Sequence, residues 1–243
     1  MSGNPVRDLH DAVARSHDPV IASTRPVTTT EWEMRRMVAD VIAKLRPDGK
    51  SVVELGCGTG VLAVPISQRA SMFTGIDMAG EAIEVLRGRL PNARLQCADL
   101  TRDDVSYLGT FDRVLVYAAL HYVTTEAEGE RFVQSALALL KPAGLALIGN
   151  LPLPSSELPH SPIRRAIGLV WGVLRRLTHP PRRSAPSPLP AGYVLPLTRP
   201  LIESWLLSIS GIHWRWVAPR VGVPMHRTRA DLLVARDGSA ERG

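Results

Sequence analysis

Three carboxylates, one glycine loop and one histidine are the groups of this 243-residue chain whose types and spacing point to chemistry. In SVVELGCGTG, residues 51–60, Glu54 closes an apolar run, and Gly56, Gly58 and Gly60 follow at alternate positions around Cys57. A phosphate loop of the nucleotide triphosphatase kind places Gly-Lys-Ser/Thr after its glycines, whereas Val61 and Leu62 follow Gly60 here. The dinucleotide fingerprint needs its third glycine where Val61 stands, which weakens that reading without removing it. A carboxylate two residues before the first glycine repels a bound phosphate and suits a cation. The loop is therefore expected to seat a positive, phosphate-free ligand.

Such a loop must leave the end of a buried strand, and SVVEL reads as that strand. Upstream, Trp32, Met34, Met37, Val38, Val41, Ile42 and Leu45 recur at helical spacing, with Thr29 and Thr30 before them as caps. Downstream, strand-like runs at 72–77, 93–99, 111–120 and 144–151 alternate with helix-like runs at 81–90 and 128–140. A helix over 200–209 and strands at 213–219 and 229–236 complete the pattern. This alternation predicts a doubly wound, Rossmann-like α/β fold: a mostly parallel seven-stranded sheet, an antiparallel final strand, and an α-helical, proline-rich insertion after the fifth strand. Ligands of such sheets sit beyond the carboxyl ends of the strands. A single domain over 1–243 is expected, with a lid and first helix in 1–45 and a cap insertion over 152–200.

Composition narrows the class. Apolar residues at 45% and charged residues at 21% belong to an ordinary folded protein. No apolar run reaches the roughly 18 residues that span a bilayer, and the first thirty residues lack an apolar secretory core, so a cytoplasmic location is expected. Cys57 and Cys97 show no metal-ligand or disulfide spacing and read as reduced and structural, with no metal site. Between 157 and 200, seven arginines face the single acid Glu157, which accounts for the whole net charge of +6. The basic balance thus belongs to the insertion and does not mark a nucleic-acid binder.

Taken in order, these residues resemble the class I S-adenosylmethionine-dependent methyltransferases. The acid, x, Gly, x, Gly, x, Gly of Glu54, Gly56, Gly58 and Gly60 is similar to the first motif of that family. Asp77 in GIDMAG, Asp99 in CADL, FDRVLVYAALHYV and LLKPAGLALI resemble its later ones. The resemblance implies S-adenosylmethionine as cofactor, with Asp77 on the ribose hydroxyls, Asp99 on the adenine amino group, Met78 and Leu100 flanking the ring, and Tyr117 and Ala118 near the methionine end. Each aspartate alone also fits a local role, Asp77 capping the next helix and Asp99 serving the turn before Thr101.

The acceptor is less legible. His121 follows the fourth strand on the rim where acceptors bind in this family and suits a proton acceptor; the alternative is a residue that only shapes the pocket. Tyr122 is expected to line that pocket, and His17 to touch it from the N-terminal segment or to face solvent. Asn/Asp-Pro-Pro-aromatic, which marks amine methylation of bases in this superfamily, is replaced by Tyr117-Ala118-Ala119-Leu120. O-methylation of a small-molecule hydroxyl, on a sugar or natural-product intermediate, is therefore expected. Residues 163–177 form an amphipathic pattern flanked by arginines, read as a cap helix or as a peripheral membrane contact. The alternatives are a membrane-surface protein of this fold, acting on a lipid-like substrate or as a non-catalytic scaffold, and an RNA methyltransferase resting on charge alone.

Overall fold

The computed structural model describes residues 4–16, 29–159, 189, 193–220, 222–223, 225 and 228–238. The strands are β1 (Ser51–Leu55), β2 (Met72–Asp77), β3 (Arg94–Cys97), β4 (Phe111–Tyr117), β5 (Leu140–Pro152), β6 (Ile212–Val217) and β7 (Arg229–Arg236). They form one sheet in the order β3-β2-β1-β4-β5-β7-β6. From β3 across to β5 all pairings are parallel. β7 runs antiparallel to both β5 and β6. The expected doubly wound sheet is thus the observed one, with its antiparallel final strand.

Six helices are described: α1 (Pro5–Ala14), α2 (Glu31–Leu45), α3 (Ala63–Ser67), α4 (Gly80–Arg89), α5 (Glu126–Ala138) and α6 (Arg199–Leu207). The periodic apolar residues of α2 bury Met37, Val41 and Leu45 in a cluster with Val52, Leu115, Leu147 and Leu233 on one face of the sheet. On the other face, Phe132, Val133 and Leu137 of α5 join Ile202 and Trp205 of α6 over Val114, Val116, Ile148 and Leu232. Burial on both sides explains why β1 reads as an unbroken apolar run with no alternation. A capping box starts α2, in which Thr30 and Glu33 exchange bonds with each other's backbone, and Arg46 at φ 53° ends it.

Three local features depart from the sequence expectation. The helix after the glycine loop, expected through VLAVPISQR at 61–69, spans only five residues, with Pro65 at its third position, where the missing N–H would be unpaired in any case. The run 111–120 stops being a strand at Tyr117, because Ala118 adopts φ 60° and turns the chain out of the sheet. The third is α1. Asn4 caps it through the Val6 and Arg7 amides and Pro5 opens it, a start signal that its short, half-polar sequence hides from apolar periodicity.

A buried ionic cluster ties α2 to β7. Lys44 Nζ lies 2.6 Å from Asp40 Oδ2 and 2.5 Å from Asp231 Oδ2, and Asp231 Oδ1 accepts the Asn150 amide at 2.8 Å. Burial pushes the Asp231 carboxyl up, and the Lys44 ammonium opposes that shift. The amphipathic segment 163–177 lies outside the described residues, as does most of the insertion. No described helix is long and apolar enough to cross a membrane.

Candidate active site

At the carboxyl edge of β1, the chain leaves Leu55 into the glycine loop, whose Gly56 and Cys57 amides both donate to the Ile76 carbonyl of β2, at 2.8 and 3.0 Å. Gly56 has φ 80°, and a Cβ there would meet the Ala119 Cβ at 2.5 Å. Only glycine lets the loop after β1 touch the turn after β4. Gly60 has a different cause: at φ 99°, its missing Cβ is filled by Leu86 of α4, at 2.5 Å. It lies on a separate groove between α2 and α3, so its glycine serves packing.

Asp77 joins the loop to β2. Its Oδ2 accepts the Gly58 amide at 2.7 Å and its Oδ1 accepts the Ala79 amide at 2.9 Å at the start of α4. Each carboxylate oxygen keeps a further lone pair for a ligand. Burial raises the Asp77 pKa, against which the Ala79 amide, His10 and the Gly58 amide act.

The cleft bounded by these groups is walled by Glu54, Gly56, Cys57, Gly58, Asp77, Met78, Leu100, Tyr117, Ala118 and Tyr122, together with Thr59, Val61, Leu62, Ala98, Ala119 and Phe132. Val6 and His10 of α1 close it. A second cavity of about 430 Å³ shares Val6, Met78, Ala119, Tyr122 and Phe132 with it and continues past Arg7, Thr101, Arg102, Thr124, Glu128 and Tyr193. With Cys57 counted as part of the cofactor loop, nine of the eleven residues assigned to the cofactor from sequence therefore face one space; Asp99 and Gly60 do not. Asp99 is buried, its Oδ1 taken by the Thr101 amide at 3.0 Å and the Thr101 hydroxyl at 2.6 Å, with the Arg7 guanidinium 3.8 Å from Oδ2. This is the turn role that its position before Thr101 also allowed.

Of the residues assigned to the acceptor, Tyr122 lines the cleft and His121 lines neither cavity. His121 stands behind Tyr122 in a 3₁₀ turn, ring centroids 4.3 Å apart. His17 falls outside the described residues. The imidazole that reaches the cleft is His10, unassigned in the sequence reading. It meets Tyr122 edge to face at 5.1 Å. Burial lowers its pKa, with Asp77 and Asp11 opposing, so the ring is neutral at neutral pH. Asp11 accepts the Glu81 amide at 2.9 Å, and Arg15 pairs with Glu81, which docks α1 on α4. Burial, Asp77 and Glu54 together push the Cys57 thiol well up, so it stays protonated and is no nucleophile.

Residues 52–144 match the family model described as "Methyltransferase domain". Over these residues the chain is a methyltransferase domain, with the fold of the class I S-adenosylmethionine-dependent methyltransferases. The methyltransferase domain is similar to the ubiquinone biosynthesis O-methyltransferase of Albidiferax ferrireducens, 29% identical over 138 residues, covering 54% of this chain and 52% of that protein. The corresponding Vibrio campbellii protein is 32% identical over 107 residues, covering 42% and 44%. The chain thus spans about half the length of the curated relatives it matches. The crystal structure of the N-methyltransferase NodS from Bradyrhizobium japonicum, in complex with S-adenosylhomocysteine, superposes with a TM-score of 0.61 at 14% identity, over 97% of this chain and 99% of that one. That likeness is one of fold.

The cleft of the methyltransferase domain fits the family's cofactor. Two buried acids, Glu54 and Asp77, suit a cation with hydroxyls to bind. A Cβ placed on Gly58 would meet no atom within 4 Å, which leaves the loop backbone open to a ligand.

Proposed function

We propose that this chain transfers a methyl group from S-adenosylmethionine to a hydroxyl of a small-molecule acceptor, a sugar or natural-product intermediate. The observation that carries the reading is His10: a half-buried imidazole, its pKa lowered by desolvation, in the wall of the same cleft as Glu54 and Asp77. When bound, the cofactor supplies an electrophilic methyl on a sulfonium. Asp77 holds the nucleoside hydroxyls, Met78 and Leu100 pack around the base, and the Glu54 charge favours the sulfonium end. α1 acts as the lid, excluding water above the cleft with Val6 and His10.

A hydroxyl becomes a competent nucleophile when a neutral base takes its proton, and His10 meets that requirement from the cleft wall. The part expected of His121 passes to His10 in this reading, because the His121 ring lies behind Tyr122 and off the wall. Tyr122, between the two imidazoles, orients the His10 ring. The names of the O-methyltransferase relatives support the atom class.

The test is transfer of labelled methyl from S-adenosylmethionine to a panel of phenols, hydroxyacids and sugars. Label should appear on oxygen. His10→Gln should lower kcat by about 10²–10⁴ with S-adenosylhomocysteine binding retained, and His121→Gln far less. Transfer confined to amines, or a His10→Gln variant with unchanged kcat, contradicts it.

A further inference from the structure

β5 departs from regular pairing beside the cleft wall. Ile148 faces Leu232 and Leu151 faces Ala230, so Gly149 and Asn150 stand opposite the single residue Asp231 of β7. Two residues against one make a β-bulge, which bends a strand, leaves one residue out of the ladder and re-aims side chains near it. Across β4, Gly149 pairs with Tyr117, and the Gly149 carbonyl accepts the Ala118 amide at 3.1 Å. Tyr117 and Ala118 both line the cofactor cleft.

Two left-handed residues meet at this point, Asn150 at φ 61° and Ala118 at φ 60°. Alanine takes that conformation less readily than asparagine, and it persists only where the surroundings fix it. Asp231 supplies the constraint. Its Oδ1 accepts the Asn150 amide at 2.8 Å, the donor that the bulge turns away from the ladder. Gly149 lies between this carboxylate and the phenol ring: a Cβ there would meet Tyr117 Cδ2 and Cε2 at 2.5 and 2.6 Å and Asp231 Oδ1 at 3.0 Å. A single glycine thus separates Asp231 from the cleft wall, and no other residue fits the gap. Asp231 itself is fully buried, and its second oxygen, Oδ2, is taken by Lys44 of α2 at 2.5 Å.

We infer that Asp231 is a positioning residue for the cofactor cleft: through the Asn150 amide it holds the bulge, and through Gly149 it sets Tyr117 and Ala118 in the wall. The inference rests on the methyltransferase reading above and adds to it a group placed outside the cleft. The two oxygens have separate duties. Oδ2, with Lys44, stabilises the fold, and Oδ1 shapes the cleft.

Calorimetry with S-adenosylhomocysteine and thermal unfolding, both on the full chain, separate these duties. Asp231→Asn keeps an oxygen for the Asn150 amide and loses the ion pair, so it should melt lower and bind within twofold of wild type. Lys44→Met, which leaves Oδ1 in place, should do the same. Asp231→Ala, with no acceptor for the amide, should bind at least fivefold more weakly. Should Asp231→Ala not fold, the double variant Lys44→Met, Asp231→Leu, which leaves neither charge of that pair buried, is read in its place and should weaken binding likewise. Unchanged affinity without the carboxylate overturns the inference. An equal loss of affinity in Asp231→Asn or Lys44→Met also overturns it, because the effect would then be one of stability or charge. A wild-type chain that does not bind S-adenosylhomocysteine overturns instead the reading on which it rests.

Discussion

The Gly58 amide donates to Asp77 Oδ2 at 2.7 Å, so a single buried carboxylate holds the glycine loop against the end of β2 while its other oxygen holds the start of α4. The three pieces that frame the cofactor cleft therefore share one acceptor.

The contact between α5 and α6 gives an expectation opposite to helix propensity. A Cβ on Gly129 would overlap Trp205 Cη2, with two more ring carbons within 3.0 Å. Gly129→Ala in an open helix gains about 1 kcal/mol, whereas here the overpacking should cost about 1–3 kcal/mol. Thermal unfolding checks it: the single variant should melt lower than wild type, and adding Trp205→Leu should make the alanine far less harmful than it is alone.

Lys44→Met removes the cation between Asp40 and Asp231. Breaking a buried pair costs about 3–5 kcal/mol, because Asp231 is left charged with no exposure to solvent. The pH dependence follows from burial, which already raises the Asp231 pKa and acts without the ammonium in the variant. A carboxyl whose folded pKa is raised adds stability below its unfolded value and loses it as pH rises through the folded one. Urea midpoints of Lys44→Met should therefore fall relative to wild type as pH rises from the carboxylate range towards neutrality, and Asp231→Asn in the same variant should flatten the difference.

Asp112 gives the reverse sign. Its Oδ2 accepts from the Ser51 hydroxyl at 2.6 Å and the Ser51 amide at 2.9 Å, which, with Lys141, holds its pKa down to about 2. Its contribution is complete above the ordinary carboxylate value and is lost as pH falls from about 4 to about 2. Denaturant midpoints of wild type and Asp112→Asn should converge across that window and stay parallel above it. The group is partly open to solvent, so the separation should also shrink at high salt.

Much of this architecture was legible because β1, the glycine loop and Asp77 are local features, in which an apolar run, a required φ and a strand-end acid fall within a few residues. Asp99 was read as an adenine ligand because family motif and local turn share one position, and only the Thr101 contacts separate them. α1 was missed because two buried residues, Val6 and Ala14, are too few to create a visible stripe. With α1 went His10, and His121 took its place by proximity to a strand end. The Lys44–Asp231 pair joins residues 187 apart in the chain. Such pairings depend on topology and carry no local signal.

Cofactor binding through the loop and Asp77 is measured most directly by calorimetry of the full chain with S-adenosylhomocysteine. Wild type should bind, and Asp77→Ala should lose at least about 10- to 100-fold in affinity, the worth of a single charge-assisted bond of about 1.5–3 kcal/mol. No binding by wild type, or an Asp77→Ala variant that binds equally well, would contradict the assignment of this cleft.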